Sequence, residues 1–290
     1  MRPFSHRSTV AFVLSAGLLP IIAGCGGEMG TIVGGAVSGV TGSGGGSSKE
    51  AQLLGAGLKT VDAMSMSDQR AKEIGESVAI AVINQPDMKL STDDALNAYI
   101  NKVGLTVASV SSRPDISYTF GVLEATKPNA LSMPGGYIFI TRGALARMVD
   151  ESELAGVLAH EVGHVCLGHG KKAMQGTKLL EAGVQAGTAD QDMQAIRGAI
   201  DDLAKNVAKP FGQGDETSAD AEAIRIVKLA GYDPNGLARY LGRVSDGTTS
   251  GGMNFSTHPI SADRVKRIQA AAAGATGVTL KERFAANVKQ

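Results

Sequence analysis

LAGVLAHEVGHVCLGH, residues 154–169, is the stretch whose reading decides the fold. Leu154, Val157, Leu158, Val162 and Val165 recur at helical spacing, so the run is a buried helix. Inside it stands His160-Glu161-Val162-Gly163-His164. Side chains at i and i+4 share one helix face, so both imidazoles reach a single metal ion from one rigid backbone. Glu161 lies one step round the helix, close enough to act on a water at the metal without binding the metal itself. Two histidines and an adjacent carboxylate at this spacing are what a zinc hydrolase requires. Gly156 and Gly163 weaken the helix intrinsically but admit neighbouring backbone.

The rest of the composition narrows the field. Lys+Arg and Asp+Glu are each 28 in 290 residues, and no basic run suggests nucleic acid. There is no phosphate-binding or dinucleotide glycine loop and no nucleophile elbow. Of five histidines, His6 lies near the start, and the others, His160, His164, His169 and His258, fall in or shortly after candidate site motifs. The two cysteines, Cys25 and Cys166, have separate uses. Cys166 packs in the metal-site helix, and Cys25 belongs to the leader.

Residues 1–24 read as an export signal, with Arg2 and Arg7 ahead of an apolar stretch too short to span a bilayer comfortably. Ile22-Ala23-Gly24-Cys25 resembles a bacterial lipobox, which implies cleavage before Cys25, its acylation, and a lipid anchor at the periplasmic side of the outer membrane. Residues 25–48 are the lipidated cysteine and a Gly/Ser-rich tether. The body runs over 49–275, with 276–290 as a C-terminal tail. Helical stripes cover 49–85, with a restart at Ser67, and a second helix opens at Asp93-Asp94 with Leu96, Tyr99, Ile100, Val103 and Val107 as its buried face. Strands are expected at 116–123 and 137–141, separated by a loop over 127–136. Gly135 and Gly136 let another backbone approach the start of the second strand. Asp150 to Glu153 cap the metal-site helix with acid at its positive end. Residues 171–209 are polar and mostly helical, a lid or an accessory hairpin.

A catalytic zinc usually takes a third protein ligand. Residues 215–230 form a second helix, where Glu216 and Asp220 share a face. Glu216 can complete the set while Asp220 orients a histidine ligand. On spacing alone Asp215 and Glu222 compete with Glu216.

The combination of His160-Glu161-x-x-His164 with Glu216-x-x-Ala219-Asp220 resembles the gluzincin family of HtpX-type and CAAX prenyl proteases. Asn129-Ala130, Pro134-Gly135-Gly136-Tyr137-Ile138, Thr141-Arg142-Gly143, Gly231-Tyr232-Asp233-Pro234 and Thr257-His258-Pro259 with Arg264 extend the likeness to its periplasmic lipoprotein branch, the BepA/LoiP-like proteases. The resemblance covers about residues 65–270. It implies an α+β, mainly helical zincin domain with a small sheet, whose edge strand borders the active-site cleft. It also implies one zinc on His160, His164 and Glu216, Glu161 as catalytic base, and His258 able to cap the metal or stabilise an oxyanion. Asp220 and Arg264 then support the ligands, and Gly135, Gly136, Tyr137 and Ile138 form the edge that holds a substrate chain extended.

Two departures from the family bear on partners. Little sequence follows residue 275, so the helical-repeat domain of some relatives is not expected, and long apolar spans of the membrane-embedded members are lacking. The expectation is a lipid-anchored zinc endopeptidase for misfolded or unassembled envelope proteins. The alternative is a chaperone-like outer-membrane assembly factor with a latent metal site.

Overall fold

The computed structural model describes residues 67–173, 200–202, 204, 209–245, 258 and 260–289. The expected leader, Cys25, the tether, the helical stripe over 49–66 and most of 171–209 lie outside the described residues. Helix α1 (Asp68–Ile83) begins at the expected restart, where Ser67 accepts a hydrogen bond from the backbone N–H of Arg70 at 3.2 Å. Helix α2 (Asp94–Ala108) is capped by Asp93 and buries Leu96, Tyr99, Ile100, Val103 and Val107, the stripe expected from spacing.

Three strands follow: β1 (Thr119–Leu123), β2 (Ala130–Met133) and β3 (Tyr137–Thr141), in the order β1-β3-β2. β3 pairs parallel with β1 and antiparallel with β2. Both faces of the sheet are covered. Phe120, Val122, Ala130, Ile138 and Ile140 face the main core, while Leu131, Met133 and Phe139 pack with Ile74, Val78 and Val82 of α1. Alternate residues of a strand point to opposite faces, so β3 divides its apolar side chains between two layers.

This topology corrects two expectations. β2 lies inside the stretch expected to be loop. It is four residues long and buried on both sides, so it shows no alternation to mark it. Tyr137 and Ile138 consequently lie on the central strand, with partners on both sides, and Gly135 and Gly136 form the turn that leads into it. The edge is β2. The turn needs its glycines, since φ is 79° at Gly135 and 98° at Gly136.

A short helix α3 (Arg142–Leu145) leads to α4 (Glu151–Cys166), capped by Asp150 through the Glu153 N–H at 3.0 Å. Every residue of α4 from Glu151 to His164 is buried. The neighbours are α6 (Gln213–Leu229), α7 (Gly236–Ser245), α2 and the sheet. Close packing depends on the two glycines of α4. A Cβ at Gly156 would stand 2.8 Å from the Leu237 nitrogen, and one at Gly163 would stand 3.0 Å from the Ala219 carbonyl oxygen.

The buried charges in the first turn of α4 are all paired, as burial demands. Asp150 meets Arg239, and Glu153 meets Arg243. Glu151 accepts hydrogen bonds from Tyr99 at 2.8 Å, from Tyr232 at 2.7 Å and from Nε and Nη2 of the Arg283 guanidinium. Arg283 belongs to α9 (Lys281–Asn287), which follows α8 (Ala262–Ala272). The stretch expected as a tail thus contributes two residues to the core. Phe284 and Val288 are buried in the main cluster, and the reason they escaped notice is that one apolar turn between charged residues has too little periodicity to read. Among the described residues no helix is long and apolar enough to cross a membrane.

Candidate metal centre

The i, i+4 spacing on α4 brings His160 and His164 together, with their Nε2 atoms 3.0 Å apart. Helix α6 crosses α4 at Gly163 and delivers Glu216, whose carboxylate lies 3.5 Å from each of those nitrogens. His258 enters from outside these helices. Its Nδ1 is 3.2 Å from His160 Nε2 and 2.8 Å from Glu216 Oε1. One ligand atom from each of the four residues lies within 4.8 Å of the other three, and all four side chains are buried. Glu161 projects beside them, with Oε1 3.1 Å from His258 Nε2, although neither of its oxygens makes an aligned hydrogen bond.

The donor set fits a metal ion, and the carboxylate on the far side of His160 shows why. Asp220 Oδ1 lies 3.0 Å from His160 Nδ1. An ionised carboxylate only accepts, so the proton of a neutral His160 sits on Nδ1 and the lone pair of Nε2 faces inward. In that state the inward Nε2 of His160 and the Glu216 carboxylate are electron-pair donors turned toward one point, available to a metal ion. Imidazole and carboxylate donors of this kind suit zinc among other divalent metals.

Arg264, on α8, ties the carboxylates of α6 together. It donates to Asp220 through Nε at 2.9 Å and Nη2 at 2.8 Å, and its Nη1 lies 2.8 Å from Glu216 Oε2. Two carboxylates one turn apart are thereby held by one planar fork. Nη2 also stands 3.3 Å from His160 Nε2.

The charges couple. Burial opposes the charge on His258, but the carboxylates of Glu161 and Glu216 outweigh it and push the imidazole up to about 9. Burial likewise opposes ionisation of Glu161, and the positive charge of His258, followed by those of His164 and His160, holds it down to about 2. Burial lowers His164 to about 4. Glu216 stays well below the usual carboxylate range despite burial, because three histidines contact it. Asp220 is also held low against burial, by His160 and Arg264. In this arrangement Glu161 is an ionised carboxylate beside His258, and no member of the group is open to solvent.

A cavity of about 310 Å³ opens next to His164. Its walls include Ser132 and Met133 of β2, Pro134 and Gly135 of the turn, and Cys166. Thr141 N–H donates to the Asn129 carbonyl, and the register then pairs Leu131 with Phe139 and Met133 with Tyr137 through hydrogen bonds. The N–H and C=O of Ser132 therefore point away from β3. The buried Ser132 hydroxyl has no partner among the described residues.

The expected residues His160, Glu161, His164, Glu216, Asp220, His258 and Arg264 are gathered at one centre. Asp215 and Glu222, the competitors of Glu216, lie elsewhere. Asp215 pairs with Lys172, and Glu222 with Arg225. Cys166 contacts the Tyr118 hydroxyl at 3.3 Å, outside the metal-ligand group. One neighbour carried no sequence signal. Phe211 stacks on the ring of His164, with centroids 4.2 Å apart and planes 20° apart. A lone phenylalanine in a Pro/Gly-rich stretch looks like any turn residue.

With this geometry the family follows. The chain belongs to peptidase family M48. The model of that family matches residues 94–272, which hold all seven of the residues gathered here. Metalloprotease LoiP of Escherichia coli K12 is 29% identical over 230 residues, covering 75% of this chain and 86% of that protein. The mitochondrial metalloendopeptidase OMA1 of Schizosaccharomyces pombe is 28% identical over 188 residues, covering 63% of this chain. The beta-barrel assembly-enhancing protease of Escherichia coli K12 is 30% identical over 173 residues, or 54% of this chain. The matches span 55% of OMA1 and 34% of the assembly-enhancing protease, so the chain corresponds to about half and a third of those relatives. As an M48 member with such relatives, the chain is a metalloprotease by class.

Proposed function

We propose that this M48 protein is a zinc endopeptidase, lipid-anchored through Cys25 at the periplasmic face of the outer membrane. It cleaves misfolded or unassembled envelope proteins there. The observation that carries the reading is the convergence of His160, His164, Glu216 and His258 on one point, with Glu161 beside it. The leader and Cys25 support the location, as do the names of the bacterial relatives.

In this reading His160, His164 and Glu216 hold the zinc. When bound, the ion polarises the scissile carbonyl and makes water a competent nucleophile at neutral pH. Glu161 takes the proton from the attacking water and returns it to the departing amine. Asp220 keeps the proton of His160 on Nδ1, and Arg264 holds Asp220 and Glu216 in register. His258 closes the resting site by engaging Glu161 and Glu216 together. A substrate chain adds as a strand along β2, meeting the outward N–H and C=O of Ser132. Main-chain pairing of this kind asks little of substrate side chains, which suits unfolded polypeptides.

The test is metal content and casein cleavage, side by side, for wild type, Glu161→Gln and His258→Ala. One zinc per chain, with cleavage lost in Glu161→Gln, supports the reading, and a wild type that takes no zinc overturns it.

A second reading, an assembly factor with a latent metal site, draws on the closure of the site, where Glu161 is fully buried and His258 1% exposed. Its discriminator is complementation of a deletion strain by Glu161→Gln. Full rescue favours assembly, and failure with normal protein levels favours proteolysis.

A further inference from the structure

We propose that His169 is a positioning residue, which fixes the tautomer of His164 and so aims the Nε2 lone pair of that ligand into the metal centre. The inference rests on the metal-site reading above and deepens it.

The chain reverses after α4. Leu167 ends the helix, Gly168 takes φ 70°, and α5 (His169–Ala173) folds back so that His169 is buried beneath His164. His169 Nδ1 then lies 2.8 Å from His164 Nδ1. Two ring nitrogens at that distance share one proton, and the question is which ring carries it.

The other side of His169 answers. Its Nε2 faces the Ser218 hydroxyl at 3.2 Å. The one proton of that hydroxyl has two nearer carbonyl acceptors, on Gly214 at 3.1 Å and Asp215 at 3.0 Å. Ser218 is therefore the acceptor toward His169, and His169 carries its proton on Nε2. The Asp215 carboxylate, held by Lys172 at 3.1 Å, lies 3.8 Å from the same nitrogen and favours the same choice. Nδ1 of His169 is then bare and accepts from His164. With its proton on Nδ1, His164 presents an unprotonated Nε2 to Glu216 and His160.

The two ligands of α4 are thus set by different devices. His160 is oriented by a carboxylate, Asp220. His164 is oriented by a neutral chain of imidazole and hydroxyl. That chain ends on the first two turns of α6, the same turns that carry Glu216, so the orientation of one ligand is tied to the helix bearing another.

The test measures zinc affinity by chelator competition, using the full chain as wild type, His169→Leu, His169→Asn and Ser218→Ala. Long-range proton–nitrogen NMR correlations of the histidine rings read the tautomer of His164. Leu keeps bulk but cannot accept, and zinc affinity should fall by about 10–100-fold, the usual range for loss of such a partner. Asn places a carboxamide oxygen where Nδ1 was, so most of the affinity should return, and His164 should stay protonated on Nδ1. Ser218→Ala removes the acceptor that fixes His169 and should weaken zinc less than His169→Leu does.

Wild-type affinity in His169→Leu overturns the inference, as does a loss in His169→Asn equal to that in His169→Leu, which would mark a packing role. If His169→Leu does not fold by circular dichroism, the Asn and Ser218 variants decide. Absence of zinc from the wild type sinks the metal reading itself, whereas zinc held equally by wild type and His169→Leu sinks only this inference.

Discussion

His258 Nε2 stands 3.1 Å from Glu161 Oε1, so the residue that would serve as base and the imidazole that also contacts Glu216 neutralise each other. A carboxylate engaged in this way is ionised but occupied. Replacing Glu161 by Gln keeps its volume and removes its basicity. Glu161→Gln should bind zinc as the wild type does and lose about 10²–10⁴-fold in turnover. Retained casein cleavage in a zinc-loaded Glu161→Gln preparation would remove Glu161 from the chemistry.

Loss of His258 frees both carboxylates it engages. His258→Ala should retain zinc on the remaining three ligands and cleave unfolded substrate faster. A tenfold gain would correspond to about 1.4 kcal/mol of capping. Slower cleavage with unchanged zinc content would instead mark His258 as a participant in the reaction.

Gly163, beside His164, sets the separation of α4 and α6 where both histidines of α4 face Glu216. Alanine there brings a methyl to 3.0 Å from the Ala219 carbonyl oxygen, while the better helix propensity of alanine returns about 1 kcal/mol. Gly163→Ala should therefore change thermal stability little, because overpacking of about 1–3 kcal/mol offsets that gain. Zinc affinity should fall, because α6 has to shift and carries Glu216 and Asp220 with it. Chelator competition alongside a melting curve separates the two effects, and unchanged affinity would show that the site tolerates the shift.

Glu151 is fully buried and its cation, Arg283, sits on α9. Arg283→Ala should cost about 1–2 kcal/mol in urea unfolding, since Arg283 is half exposed and Tyr99 and Tyr232 still donate to the buried carboxylate. The same pair gives a signed dependence on pH. Burial raises the carboxyl of Glu151, but donation from Arg283, Tyr232 and Tyr99 outweighs it and holds it below 4.5. A group depressed on folding contributes stability that is present above its unfolded value and lost as pH falls through its folded value. Unfolding free energies of metal-free wild type should drop below about pH 4.5, and Glu151→Gln should show a shallower drop. Equal slopes would mean that Glu151 is not ionised in the fold.

The parts of this molecule that sequence made plain are those where one signal acts over many residues. The stripe of α2, the cap at Asp150 and the helix carrying Glu216 each repeat a helical period against a defined start. Strand β2 was hidden because four residues buried on both faces carry no alternation, and without it the central strand passes for an edge. The pairing of Glu151 with Arg283 and the stacking of Phe211 on His164 join segments far apart in the chain, where local pattern is silent. The choice of Glu216 over Asp215 came from family likeness, and its physical basis is visible only once α6 crosses α4 at Gly163.

The clasp on Glu151 also imposes an order of events on biosynthesis. The carboxylate and its guanidinium are separated by 132 positions in the chain. A polypeptide made from its N-terminus therefore exposes the start of α4 long before Arg283 exists. Until that arginine arrives, burying Glu151 leaves a charge without its cation, and α4 has a reason to stay undocked. The histidines on α4 then lack the packed setting of the finished fold, so the cluster they form with Glu216 and His258 takes shape only after residue 283 has been made.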